Sequence, residues 1–202
     1  MNVKERIVSE AAAMFIRNGI KSITMDDIAK ELGISKKTLY QHFENKNELL
    51  MACMDVHDCE EKKTLKSFQN LSNNAIDEMI QIAKHVEKML KKVSPTLIYD
   101  IQKYHKEAWV KMNKMQCNDV YVEIKANIER GINEGLYRND FNIDIVSKIY
   151  VHTTTLGINS DFFPAPDYEI NEIIKTNIIY HLHGIVSPKG LALLEQMKTE
   201  LK

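Results

Sequence analysis

The sequence predicts an all-α protein, with three short helices at the N-terminus followed by a longer helical bundle. Three observations predict it. Only 7 Gly and 4 Pro interrupt 202 residues, too few turn formers for a β-sandwich. Apolar side chains recur at three- and four-residue spacing along almost every segment. Residues that start and stop helices, Thr24, Gly33 and Ser35, punctuate the first fifty positions. A composition 44% hydrophobic and 27% charged excludes a disordered or collagen-like chain. The length suffices to bury a core in one large domain or two smaller ones.

From Val3 to Asn18, Ile7, Ala11 and Phe15, flanked by Val8, Ala12 and Met14, form one stripe of an amphipathic helix. Asn18-Gly19 is expected to stop it. The second helix opens at Thr24, a capping residue, with Asp27 three positions on and Asp26 beside it, both suited to a positive helix end. Met25, Ile28, Ala29 and Leu32 give its inward face. Gly33 breaks it, and Ile34 fills the turn. Ser35 caps the third helix, in which Leu39 and Phe43, four apart, must point inward. Lys36, Lys37, Thr38, Tyr40, Gln41 and His42 then face out. A fourth helix starts at Asn45-Lys46-Asn47-Glu48, followed by Leu49 and Leu50.

Helix, short Gly-containing turn, and helix with a polar and basic outer face is the helix-turn-helix arrangement. The formal net charge of −1 predicts no global attraction to nucleic acid, so any affinity must be local. Residues 1–50 carry eight Lys/Arg and seven Asp/Glu, but 32–43 hold Lys36 and Lys37 with no acid until Glu44. Tyr40, a large aromatic on the face opposite Leu39 and Phe43, stands where a merely solvated helix favours Glu or Lys. The alternative is a small helical bundle with an ordinary wet surface, on which a charge run is only a solvated face.

Residues 7–50 resemble the DNA-binding domain of the TetR (tetracycline repressor) family of bacterial regulators. The matching positions are Ile7, Ala11-Ala12, Phe15 and Gly19, then Thr24-Met25-Asp26-Asp27-Ile28-Ala29. Gly33-Ile34-Ser35-Lys36-Lys37-Thr38-Leu39-Tyr40-Gln41-His42-Phe43 and Lys46…Leu49-Leu50 follow in the same order and spacing. The resemblance implies a helix-turn-helix DNA-binding domain over 1–46 and a variable ligand-binding and dimerisation domain over 47–202. It also implies that the Ser35–Phe43 helix lies in the major groove, where its N-terminal residues meet base edges. Lysine reaches guanine acceptors, glutamine pairs with adenine, and Thr38 offers a hydroxyl or a methyl. The expected contacts are Lys36, Lys37, Thr38 and Gln41 near bases, Tyr40, His42 and Lys46 at phosphates, and the capping Ser35 as a further DNA-binding residue. Thr24 is a further contact, unless its hydroxyl serves the helix only as a cap.

The rest reads as consecutive helices, with no internal repeat. One runs from Lys46 to near Lys66, with a turn at Ser72-Asn73-Asn74. Ile76, Met79, Ile80, Ala83, Val86, Met89 and Leu90 mark the next, stopped by Ser94-Pro95. A short helix over Pro95–Lys103 precedes one through Trp109, Met112 and Met115, with a break expected at Asn113 or Asn118. Val120, Ile124, Ile128 and Ile132 mark a helix ending near Gly135. Further helices are expected near 143–160, interrupted by Phe162-Phe163-Pro164-Ala165-Pro166, then over 168–184 and from Pro188 to Leu201.

Glu129-Arg130-Gly131…Glu134-Gly135-Leu136-Tyr137-Arg138 resembles the loop that closes the seventh helix in many members of the family. By the same resemblance, the helices near 143–160 and 168–184 pair with their copies in a homodimer. Their branched residues, among them Ile145, Ile149, Leu156, Ile158, Ile173 and Ile179, exceed what one face needs. Gly157 and Thr153-Thr154-Thr155 permit close helix approach. The alternative is burial within one chain. Two reading helices about 34 Å apart would read a palindromic operator.

The family usually senses a small molecule within its C-terminal domain. The candidate lining is Met79, Met89, Tyr99, Tyr104, Trp109, Met112, Tyr121 and His152, although aromatic and Met stripes also build plain cores. The effector is not legible. A metal- or redox-responsive regulator and a non-sensing interaction protein that keeps its DNA-binding head are the other readings. His57 with Cys59, and His181 with His183, lack the i, i+4 spacing a metal prefers. No glycine-rich phosphate loop, nucleophile elbow or zinc-hydrolase helix is present, so no catalytic residue, metal or cofactor is expected. Three cysteines, no secretory leader, and no run of roughly 18 to 20 apolar residues point to a cytoplasmic protein that does not enter the membrane.

Overall fold

A computed structural model describes residues 2–157, 163–164 and 167–197. It contains eleven α-helices in that range: α1 Val3–Asn18, α2 Met25–Leu32, α3 Lys36–His42, α4 Lys46–Leu71, α5 Ala75–Leu90, α6 Pro95–Tyr104, α7 Lys106–Met115, α8 Tyr121–Asn133, α9 Ile143–Gly157, α10 Ile170–Ile185 and α11 Pro188–Met197. The described residues carry no strand, only an isolated bridge between Tyr137 and Val186. Several expectations lie outside the described residues. They are the helix end at Ile158 and Asn159, Phe162, Ala165 and Pro166 of the interruption, the packing of Thr155, Leu156 and Gly157, and the segment from 198 to Leu201.

The chain forms two compact units, residues 1–61 with 92–112, and residues 62–91 with 113–202. The first is wider than the 1–46 segment that the sequence marks out, because α6 and the start of α7 fold onto it. Ile7, Ala11 and Phe15 of α1, Ile28 and Leu32 of α2, Leu39 of α3, and Leu49 and Leu50 of α4 share one buried cluster with Ile101 and Ala108. Local chemistry sets the ends of these helices. Asn2 and Glu5 form a reciprocal capping box on α1. Gly33 takes the left-handed conformation, φ 65° and ψ 29°, and lets the chain turn from α2 into α3. The Ser94 amide donates to the Ile16 carbonyl (2.7 Å) and the Lys21 amide to Asp100 Oδ2 (2.8 Å), which fixes α6 beside the α1–α2 turn.

Asn45 Oδ1 accepts the Glu48 amide (2.9 Å), as the sequence implies. The Glu48 carboxylate reaches back one residue further than expected, to the Glu44 amide (2.6 Å). The helix runs past Lys66 to Leu71 before Ser72-Asn73-Asn74 turns the chain. The break expected at Asn113 or Asn118 is instead a π-helical turn over Gln116–Val120. With no Gly or Pro there, asparagine alone does not end the helix, and one widened turn carries it onward.

The second unit is built around α5, whose Ala75, Ile76, Met79, Ile80 and Ala83 pack with Ile124 and Ile128 of α8 and Ile174, Ile178 and Leu182 of α10. The segment that resembles a helix-closing loop is a buried knot. A Cβ on Gly131 would lie 2.1 Å from the Tyr137 ring, so only glycine admits that ring. The Tyr137 hydroxyl lies 3.1 Å from both the Ala75 carbonyl and Asn127 Oδ1. Arg130 Nη1 donates to the Gln69 carbonyl, Ser72 Oγ and Glu78 Oε2, Nη2 to the Ser72 carbonyl, and Nε to Glu134 Oε1.

Candidate nucleic-acid interface

Leu39 is 0% exposed and Phe43 2%, so α3 is anchored by the two residues that its sequence marks as inward. That orientation turns Lys36, Lys37, Tyr40 and Gln41 outward, with Tyr40 49% exposed. Thr38 and His42 are half-buried at the edges of this face. Ser35 Oγ accepts the Thr38 amide (3.0 Å) and lies 2.8 Å from Thr38 Oγ1, so the Ser35 side chain works first as the helix cap. An open cleft of about 310 Å³ adjoins Tyr40, lined by Thr24, Met25, Asp26, Tyr40 and Lys46.

Three further expected contacts are also engaged within the protein. The Thr24 hydroxyl donates to Asp27 Oδ2 (2.6 Å) and accepts the Asp27 amide (3.1 Å), so Thr24 is the cap of α2. Hydrogen bonds from the Thr24 hydroxyl and the Thr24 amide hold the Asp27 carboxyl below the usual range. Lys46 Nζ donates to the carbonyls of Ile20 (3.0 Å) and Ile23 (2.8 Å), tying the start of α4 to the α1–α2 turn. Partial burial lowers its pKa. Two of the three ammonium protons are thereby directed inward, leaving one for an incoming anion. Lys36 Nζ lies 2.5 Å from Asp26 Oδ2, and this hydrogen-bonded ion pair raises the lysine pKa. Lys37 has no ion pair or hydrogen bond among the described residues and is the cation left unengaged at the start of α3.

Asp26 and Met25 on the cleft wall are missing from the sequence-derived contact set. The signal was present: α2 opens with two adjacent acids, and the capping box uses only the second.

The eight residues expected to line an effector pocket are divided between the units, Tyr99, Tyr104, Trp109 and Met112 in the first and Met79, Met89, Tyr121 and His152 in the second. Tyr99 and Tyr104 are surface residues in edge-to-face contact, ring centroids 6.4 Å apart, with the Lys103 ammonium 5.0 and 5.6 Å from the two rings. Trp109 and Met112 pack, half-buried, against the first core. Met79 is fully buried in the second, Met89 is half-buried, and His152 is exposed. The Tyr121 hydroxyl donates to Asp144 Oδ1 (2.7 Å). Burial pushes the Cys53 thiol up to about 12, which makes it a poor nucleophile, while Cys59 and Cys117 are exposed. No group of three metal-binding side chains converges among the described residues, and no described helix is long and apolar enough to cross a membrane.

Residues 7–53 match the family described as bacterial regulatory proteins, tetR family. The HTH-type transcriptional repressor KstR2 of Rhodococcus jostii (strain RHA1) is 22% identical over 201 residues, covering 92% of both chains. Among solved structures, a transcriptional regulator from Cytophaga hutchinsonii superposes with a TM-score of 0.75 at 17% identity, over 91% of this chain and 98% of its own. One from Saccharomonospora viridis, in complex with choline, gives 0.70 at 16% identity over 91% and 97%. At such identities the structures speak for the fold. The match over residues 7–53 places that segment in the family described as bacterial regulatory proteins, tetR family, and along most of its length the chain is similar to an HTH-type transcriptional repressor.

Proposed function

We propose that this regulator is a repressor that binds a palindromic operator as a homodimer, with residues 1–46 as its DNA-binding part. The observation that carries this reading is the orientation of α3. Its two apolar anchors are buried, and Lys37, Tyr40 and Gln41 stand free on the opposite side. Lys36, Lys37, Thr38 and Gln41 are assigned to base edges, and Tyr40, His42 and the remaining Lys46 proton to phosphates.

The dimer reading is supported by α9 and α10. Ile145 (55% exposed) and Ile149 (56%) project from α9 and Tyr180 (79%) from α10, large apolar surfaces that a monomer would leave in water. The two helices pack side by side, joined by the Asn177 amide to Thr154 Oγ1 (3.0 Å) and by the Tyr150 and His181 rings, 4.5 Å between centroids. A small-molecule effector completes the reading. It is supported by choline in the Saccharomonospora neighbour. A regulator of this kind acts in the cytoplasm.

The reading is tested by selecting a duplex from a random library with the wild-type protein and then measuring its retention by gel shift. Lys37→Ala should weaken binding at least tenfold without moving the melting temperature. Scrambling one half-site should remove most of the remaining affinity. Equal affinity for the wild type and Lys37→Ala would take α3 out of the groove. Retention of a single half-site at full strength would rule out the dimer. A compound screen scored by melting temperature and gel shift together tests for the effector, and a hit that stabilises the protein without changing retention would count against sensing.

A further inference from the structure

The pairing of Lys36 with Asp26 has a consequence for selectivity that rests on the duplex-binding reading above. Asp26 is the second residue of α2, and its side chain is 54% exposed. It takes no part in the capping box, which Asp27 completes with Thr24. Its hydrogen-bonding partner is Lys36, ten residues on, at the first position of α3. Asp26 stands at the cleft that Tyr40 and Lys46 also line. Paired in this way, the carboxylate neutralises one of the two lysines at the start of the reading helix. An exposed ion pair is weak enough to exchange when a better partner arrives.

We propose that Asp26 is a selectivity-determining residue that acts through Lys36, holding its ammonium away from the phosphates of non-operator DNA. On random sequence Lys36 stays with Asp26, and only Lys37 adds electrostatic attraction at the start of α3. On the operator the acceptors of a guanine edge compete with the carboxylate for Lys36, and the exchange takes place. The pair thus lowers affinity for every duplex but lowers it less where the correct base is present. Selectivity is the difference between the two.

The test uses full-length Asp26→Asn, Lys36→Gln and the double variant. Each is titrated with salt on the library-selected duplex and on a random-sequence duplex. Asparagine keeps a hydrogen-bonding side chain at that position and removes its charge. In Asp26→Asn, random-duplex affinity should rise about tenfold, and its log–log salt slope should steepen by about 2, one new phosphate contact per protomer. The ratio of operator to random affinity should fall about as much. In the Lys36→Gln background, Asp26→Asn should change neither slope nor ratio. A gain that persists in that background means that Asp26 repels phosphates directly, and it overturns the proposal. So does an Asp26→Asn protein with the wild-type slope and ratio, or one that weakens on both duplexes alike. If Lys37→Ala still loses binding in the same titrations, the duplex-binding reading survives that failure. If the wild type selects no duplex, both fall.

Discussion

Phe43→Ala is expected to detach the reading helix, at a cost of about 3–5 kcal/mol for truncating a buried phenylalanine. Helix α3 has seven residues, far too few to hold its shape in isolation. It is held by Leu39 and Phe43, which join Ile7, Leu49 and Leu50 in one cluster, and by the Lys4 ammonium 5.4 Å from the Phe43 ring. Phe43 also caps α3, its amide donating to the Leu39 carbonyl from an extended backbone. Losing the ring therefore loosens both the inner face and the end of the helix. The measurement is thermal unfolding with amide exchange resolved over residues 35–43, beside the gel shift. Early melting, lost protection there and no retained duplex are expected. Lys37→Ala, in contrast, should keep its protection and lose only DNA. A Phe43→Ala protein with wild-type protection and retention would mean that the buried and reading faces have been exchanged.

The N-terminal helices were legible because their determinants are local. Thr24 with Asp27, Gly33, Ser35, and Leu39 with Phe43 each act within four residues, and the folded chain uses them as the pattern implies. Contacts between residues distant in the chain were not legible. Asp100 binding the Lys21 amide spans 79 residues and brings α6 onto the first unit, well beyond the boundary at residue 46. Lys46 reads in sequence as a free cation at a helix start, but carbonyls 23 and 26 residues earlier take two of its protons. The Lys36–Asp26 pair was hidden for the same reason. Periodicity shows that an acid and a lysine face outward, but not that they face each other. The effector candidates share only their residue type, and type does not separate a core methionine such as Met79 from a lining one.

Arg130→Met is the second large effect, and it probes the organisation of the second unit. Methionine keeps much of the length and apolar stem but removes every hydrogen bond that the guanidinium makes. Glu78, only 1% exposed, then lacks its cation, and the carbonyls of Gln69 and Ser72 lose the donor that closes the end of α4. Removing one partner of a buried pair costs about 3–5 kcal/mol. The lower part of that range is expected, because the Arg130 side chain is 24% exposed. The deficit should depend on pH. Burial already raises the Glu78 pKa above its ordinary value, while hydrogen bonds from Asn127 and Arg130 pull it down. Without Arg130 it rises further, so the folded variant binds a proton that the unfolded chain has released. A carboxyl with a raised folded pKa adds stability as pH falls through that value towards the unfolded one. Denaturant unfolding should therefore show a larger gap between variant and wild type at pH 8 than at pH 5. Adding Glu78→Gln to Arg130→Met should recover part of the loss at pH 8 and little at pH 5, because the uncompensated charge is gone. A gap that is constant with pH, or a double variant whose losses simply add, would show that Arg130 serves the α4 carbonyls alone and that Glu78 does not depend on its charge.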